Sequence, residues 1–335
     1  YYDSGSTWFS SPGSSSIQWL TFERCQGLYG SQLIDVSSGS LTVEGCNFTV
    51  QSNNSDASSV AFILSRGRVT TIQNSIFTGG KYGIFAGVTK SAGELYIEKS
   101  QFIGISEQTG PFIRLYSLPG KQMNAVRNVI KSTVFSGASF SLDIGQQNAA
   151  IIIEEEIDTT QLLLNRFVNT QNSQAILITQ DRFNVEVVSN EFDSNGGGLS
   201  LGGAISIVSE SPSGTLKANY NTFVNNKGTR AGVIFTNPKH EVTPILIPTY
   251  TIQNNFFYNN TVVEVGEDNA NDIYISSEFI APTEIRENLL RSGDSYNAKR
   301  WIGDHTEVIV GAYLDQYRSN FVFGICEYDT STSTF

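Results

Sequence analysis

Val187-Val-Ser-Asn-Glu-Phe192, Ala218-Asn-Tyr-Asn-Thr-Phe223 and Ile252-Gln-Asn-Asn-Phe-Phe257 repeat one pattern: an apolar residue, two variable positions, a small polar residue, a variable position and a large apolar residue. Read backwards, the pattern continues as Leu162-Leu-Leu-Asn-Arg-Phe167, Ile130-Lys-Ser-Thr-Val-Phe135, Ile97-Glu-Lys-Ser-Gln-Phe102, Ile72-Gln-Asn-Ser-Ile-Phe77 and Val43-Glu-Gly-Cys-Asn-Phe48. Read forwards, it closes with Ile285-Arg-Glu-Asn-Leu-Leu290. An imperfect copy, Phe22-Glu-Arg-Cys-Gln-Gly27, reads as the earliest. The core of the unit is constant while the distance between copies varies, as in a solenoid that accepts insertions in its turns.

The short apolar runs between copies are β-branched or aromatic and bounded by Gly, Asn and Ser. Examples are Tyr82-Gly-Ile-Phe-Ala86, Ala175-Ile-Leu-Ile178 and Ala231-Gly-Val-Ile-Phe235. Helical repeats need longer runs with a period of 3.6, and a propeller blade needs about 40 residues or more and four strands. Two or three short strands per unit instead predict an all-β fold, a right-handed parallel β-helix of about ten coils. At about 4.8 Å per coil the rod is about 45–50 Å long. Residues 1–297 are expected to form it, with 298–335 as a C-terminal cap or docking segment of the same domain. An uncapped solenoid end exposes sheet edges, so association with other protein chains is expected.

The fourth column of the pattern changes gradually: Cys25, Cys46, Ser75, Ser100, Thr133, Asn165, Asn190, Asn221, Asn255, Asn288. The five Asn are expected to form a structural ladder that satisfies turn backbone groups. The sixth column, mostly Phe, predicts an interior aromatic stack. Leu20-Thr-Phe-Glu-Arg-Cys25 also aligns with Leu41-Thr-Val-Glu-Gly-Cys46, which stacks the two thiols within disulfide reach. The alternatives are a Cys25–Cys46 disulfide or two buried free thiols; Cys326 is left over.

Two further segments stand out. Gly202-Gly-Ala-Ile205 has a degraded echo in Ala231-Gly-Val-Ile234, and Phe192-Asp-Ser-Asn195, Phe223-Val-Asn-Asn226 and Phe257-Tyr-Asn-Asn260 share the form Phe-x-x-Asn. Over residues 187–260 this alternation resembles the repeats of the polymorphic outer-membrane protein family, autotransporter adhesins with a parallel β-helical passenger. The resemblance implies an extracellular adhesive or scaffolding role.

Composition narrows the partners. Net charge is −11, which disfavours nucleic acid as a partner, and no apolar run is long enough to span a bilayer as a helix. The Ser-, Thr-, Asn- and Gly-rich palette suits an extracellular or cell-surface location, and Tyr1-Tyr2 at the start reads as a processed product or a fragment. Acceptor triplets for N-glycosylation occur at Asn47, Asn53 and Asn259.

Catalytic signals are sparse. Glycosidases of this fold need converging carboxylates, and the lyases need calcium ligands with a base. Glu154-Glu-Glu156 with Asp158 is the densest acidic cluster and reads as a solvated insertion. His240 lies in a Pro-containing loop. Trp301-Ile-Gly-Asp304-His305 resembles the Trp-Ile-Asp-His segment of pectate lyases, but its extra Gly would flip the later side chains, and it reads as a cap. No catalytic residue, metal site or cofactor is assigned. The expectation is a non-catalytic surface adhesin or scaffold, whose partners are other chains or cell-surface glycans. The alternative is a polysaccharide lyase or hydrolase, or a glycan-binding module, of the same fold.

Overall fold

In a computed structural model the described residues are 7–11, 13–18, 21–25, 32–36, 38–50, 61–79, 88–90, 93–104, 106–108, 110–115, 127–140, 148–154, 157–180, 182–198, 200–209, 213–238, 248–263, 271–275, 283–286, 288–291, 301–303 and 321–322. All their named elements are β-strands. Three long parallel sheets of eleven, ten and eleven strands run the length of the molecule, and the chain visits them in rotation. This is a parallel β-solenoid.

The six-residue pattern occupies two of those sheets. Its first column lies in the ten-stranded sheet, where Val43 pairs with Ile72, Ile72 with Ile97, Ile97 with Ile130, Ile130 with Leu162, Leu162 with Val187, Val187 with Ala218, Ala218 with Ile252 and Ile252 with Ile285. Its sixth column lies in a second sheet, here called the Phe sheet. The stretch between them is a corner. The remaining sheet carries the apolar runs: Ile63, Ile113, Ile151, Ile176, Ile205, Ile234 and Ile273 all point inward, fully or almost fully buried.

Parallel in-register stacking forces like onto like, and the Phe column shows the consequence. Phe48, Phe77, Phe102, Phe135, Phe167, Phe192, Phe223 and Phe257 are all fully buried. Successive rings lie 4.7 to 5.1 Å apart, with interplanar angles of 4° to 19°. The spacing is that of neighbouring strands, so the backbone ladder imposes a face-to-face array that an isolated aromatic pair would not choose. Phe62 and Phe112 pack against the stack at tilted angles.

The first coil departs from the sequence alignment. Ile17, not Phe22, pairs with Val43, and Phe22 pairs with Phe48 in the Phe sheet. The earliest copy is therefore Ile17-Gln-Trp-Leu-Thr-Phe22, five residues upstream of the copy read from Phe22. Cys25 lies opposite Val50, beyond a register irregularity, and not opposite Cys46. The match of Leu20–Cys25 to Leu41–Cys46 is therefore a coincidence of letters: the pairing that forms sets Phe22 beside Phe48. Cys46 is a buried free thiol whose Sγ lies 3.6 Å from the Ile17 carbonyl and 3.4 Å from that of Glu44. Of the two alternatives, the Cys25–Cys46 disulfide is not formed, and Cys46 takes the other, a buried free thiol.

At the other end, Trp301–Gly303 and Phe321–Val322 pair in parallel with Ile273–Ile275 and Leu289–Leu290. The sheets thus run on into the segment expected to form a cap.

Candidate functional site

The corners come first, because they decide which side chains reach solvent. Between the ten-stranded sheet and the Phe sheet one residue per coil adopts left-handed φ: Gly45, Asn74, Lys99, Ser132, Leu164, Ser189, Tyr220 and Asn254, with φ from 50° to 64°. Its N–H still bonds the next coil, as in Leu164 to the Val188 carbonyl at 3.1 Å, so the ladder continues around the bend. The next residue, the fourth column, turns inward and is buried.

Five residues further on the same device recurs. Asn169, Ser194, Asn225 and Asn259 have φ of 52° to 57° and are followed by the buried Thr170, Asn195, Asn226 and Asn260. The Phe-x-x-Asn tetrapeptides are thus a second copy of the corner, offset by five residues. The sequence carried this signal in the equal five-residue steps 190 to 195, 221 to 226 and 255 to 260, which the single-column reading left aside.

Each inward Asn clamps the preceding coil. Asn190 Oδ1 accepts from the Asn165 N–H at 2.8 Å while its Nδ2 donates to the Leu162 carbonyl at 2.8 Å. Asn165, Asn221, Asn255 and Asn288 repeat that geometry on Thr133/Ile130, Asn190/Val187, Asn221/Ala218 and Asn255/Ile252. In the second ladder Asn195, Asn226 and Asn260 do the same for Thr170/Phe167, Asn195/Phe192 and Asn226/Phe223. These amides are consumed by backbone and are not available to a ligand.

The outer faces remain. The outward column of the eleven-stranded Ile sheet is itself covered over part of its length. Ile152, Leu177, Phe235 and Tyr274 are buried in two apolar clusters with Ala149, Ala231, Leu201 and Val208, and Ser206 in the same column is buried too. Gly203 and Gly232 belong to this crowded region. A Cβ on Gly203 would collide with the Gly232 carbonyl, and one on Gly232 with the Asn271 carbonyl. Close backbone approach, not activity, therefore explains glycine in the Gly-Gly-Ala-Ile segment and its echo.

The ten-stranded sheet presents a chain of polar contacts from coil to coil. Arg127 Nη2 donates to Gln161 Oε1 at 2.9 Å, Gln161 Nε2 to Glu186 Oε2 at 2.8 Å, and Lys217 Nζ to Glu186 Oε1 at 3.3 Å. The Gln161 hydrogen bond, helped by Lys217, holds the Glu186 carboxyl below its ordinary range against partial burial. Other carboxylates are also tied to cations of a neighbouring coil: Glu191 to Arg166 at 2.7 Å, Asp35 to Arg66 at 2.7 Å and Glu154 to Arg114 at 2.6 Å. Glu154, from the acidic cluster, thus has its own cation. Among the described residues no three His, Cys, Asp or Glu side chains gather as a metal site.

The Phe sheet and its two corners differ. Four large apolar side chains are exposed among the described residues: Leu164, Tyr220, Tyr258 and Val263. Three of them lie on the two adjacent coils 220–228 and 254–263. Tyr258 and the half-buried Phe256 alternate outward around the buried Phe257, their rings 6.0 Å apart and within 10° of parallel. Beside them runs an exposed polar row at the second corner. Asn259 Nδ2 donates to Asn225 Oδ1 at 2.7 Å, Asn225 Nδ2 to Asp193 Oδ1 at 3.2 Å, and Ser194 Oγ to the same carboxylate oxygen at 2.8 Å.

Of the glycosylation candidates, Asn259 is exposed at this corner, and Asn47 is half-buried in the Phe sheet on its outer face. Asn53, Cys326, His240, Asp304 and His305 lie outside the described residues. Comparison with family models, with curated proteins and with solved structures finds no match.

Proposed function

We propose that the chain is an extracellular adhesin or structural scaffold, non-catalytic and part of a larger assembly, that displays side chains and glycans on the faces of a rigid rod. One observation carries this reading. The repeated residues are spent on the interior and the corners, while the outward columns change from coil to coil, as in Gln161, Glu186, Lys217 and Thr251. Such a division suits a frame that holds a variable surface. The Gly-Gly-Ala-Ile and Phe-x-x-Asn segments add the resemblance to polymorphic outer-membrane protein adhesins. The partners proposed are other protein chains or cell-surface glycans, and Asn259, exposed at a corner, is the best placed of the sequons.

The test is a polysaccharide panel incubated with the full chain, with and without Ca²⁺, followed for reducing sugar and unsaturated uronate. In parallel, retention of the chain on immobilised cell-surface material is measured. The reading expects retention without product. Product release would overturn it in favour of a lyase or hydrolase of the same architecture.

A further inference from the structure

We propose that Asn128 and Thr160, on adjacent coils, hold buried water inside the rod. The site belongs to the frame and is independent of the adhesin reading.

The first argument is register. One inward column of the ten-stranded sheet runs through Thr70, Leu95, Asn128, Thr160, Val185 and Leu216, each paired with the next. All six side chains are buried, none more than 1% exposed. Two consecutive polar residues therefore stand in the core about 4.8 Å apart, closed off by Leu95 on one side and Val185 on the other. The ladder is irregular beside them: Ile157 to Thr160 takes three steps where Phe183 to Val185 takes two. Such a bulge leaves one residue out of the pairing and disturbs the local packing.

The second argument is hydrogen bonding. Thr70 shows how a polar residue in this column is satisfied by protein. Ser65, across the turn from the Ile sheet, shares a hydrogen bond with it at 2.5 Å. On the coils of Asn128 and Thr160 the Ser65 position is taken by Leu115 and Ile153, which have no polar side-chain atom. Asn128 Nδ2 and Oδ1 and Thr160 Oγ1 accordingly have no hydrogen-bond partner in the protein. An orphaned amide or hydroxyl at this depth costs more than an ordinary hydrogen bond returns, so buried polar groups find protein or ordered water.

The third argument is chemical. The three atoms comprise donors and acceptors and carry no charge. A metal ion needs acceptors alone and an anion donors alone, whereas water both gives and takes. Among the described residues the only buried charged side chain is Asp272, just before Ile273–Ile275 and four strands of the Ile sheet away from Ala149–Ile153. A buried water makes about three hydrogen bonds, so one or two molecules serve the site.

The full chain is crystallised at a resolution that shows ordered solvent, and long-lived internal waters are counted in solution by magnetic relaxation dispersion of water oxygen. Solvent density within hydrogen-bonding distance of both Asn128 and Thr160 is expected. The double variant Asn128→Leu/Thr160→Val copies Leu95 and Val185 of the flanking coils and should hold fewer long-lived waters. Thr160→Val alone keeps the side-chain shape and removes one partner of the water. Its thermal midpoint should fall, and the double variant should recover part of that loss. A dry site, a direct Asn128–Thr160 hydrogen bond or a cation in the density overturns the proposal. So does a higher midpoint in Thr160→Val with the water count unchanged, the result expected of a hydroxyl that has no partner at all. The wild-type density decides even where the double variant does not fold, and none of these readouts bears on adhesion or on product release.

Discussion

At the scale of single residues, the fourth column shows why Asn replaces Ser along the chain. Ser75 Oγ accepts from the Cys46 N–H at 3.2 Å, but it donates only to the Gln73 carbonyl two residues back in its own coil. Ser100 likewise returns its hydroxyl proton to Glu98. An Asn side chain is one amide longer, so it accepts from one group of the preceding coil and donates to another. Removing such a clamp strands several buried groups. In Asn221→Ala the Asn190 N–H and Nδ2 lose an acceptor and the Val187 carbonyl loses a donor. The Asn190 Nδ2 keeps the Leu162 and Val188 carbonyls, so two groups lose their partner, and at about 1–3 kcal/mol for each a loss of at least about 2 kcal/mol is expected in denaturant unfolding. The converse change, Ser75→Asn, places an amide at a corner with the same left-handed φ. It should reach the Val43 carbonyl and raise stability by about 0.5–1.5 kcal/mol. A fall in the unfolding midpoint would mean that the Ser and Asn corners are not equivalent.

At the scale of elements, strands were legible and corners only in part. Alternation of the kind seen in Val69–Gln73, whose burial alternates residue by residue, writes a strand directly into the sequence. The Phe column was equally plain, because one large residue type at one position in successive copies has no other economical reading. Left-handed corners were less visible. Lys99, Leu164 and Tyr220 do not carry the usual Gly or Asn signature, and the ladder of the neighbouring coils holds them there regardless. The register of the first coil is hidden for a related reason: Leu20–Cys25 and Leu41–Cys46 match in letters, whereas the strands pair Phe22 with Phe48. Leu164→Asn should relieve its corner, since Asn tolerates this conformation, and remove a 54% exposed leucine. A gain of about 0.5–1 kcal/mol is expected, read as a higher midpoint in thermal unfolding. Coil-to-coil electrostatics provide a pH signature. The folded-state pKa of Glu186 is depressed, so its contribution is fully present above the unfolded carboxylate value and is lost as pH falls through the lowered one. Thermal midpoints of wild type and Glu186→Gln should therefore differ at neutral pH and converge in acid. Because the carboxylate is only partly buried, the difference should be small and should shrink further in high salt. Divergence on acidification would reverse the sign and sink this account.

At the scale of the whole molecule, each coil touches only its neighbours, so stability is a sum of local interfaces and need not be uniform. The gradient is readable in the ladders. At the corners of the coils around Cys46 and Ser75, the backbone ladder is supplemented by one side-chain bond from each following coil, Cys46 N–H to Ser75 Oγ and Ser75 N–H to Ser100 Oγ, both at 3.2 Å. The coils from Asn190 to Asn260 are clamped twice, once at each corner, with amide-to-amide contacts as well, such as Asn190 to Asn221 at 3.1 Å and Asn195 to Asn226 at 3.0 Å. The Phe stack runs through both regions with similar spacing, so it does not offset the difference. Local opening should therefore cost more in the second region than in the first. Hydrogen exchange followed by mass spectrometry tests this at peptide resolution. Backbone amides of the strands in 187–260 should exchange at least tenfold more slowly than those in 40–103, which corresponds to about 1.4 kcal/mol of opening free energy. Asn221→Ala should erase much of that protection in the coils on either side of the substitution and leave 40–103 unchanged, because the coupling passes only between neighbours. Uniform protection along the rod, or loss spreading evenly to its far end, would show that the solenoid opens as one cooperative unit and that the Asn clamps do not set its stability profile.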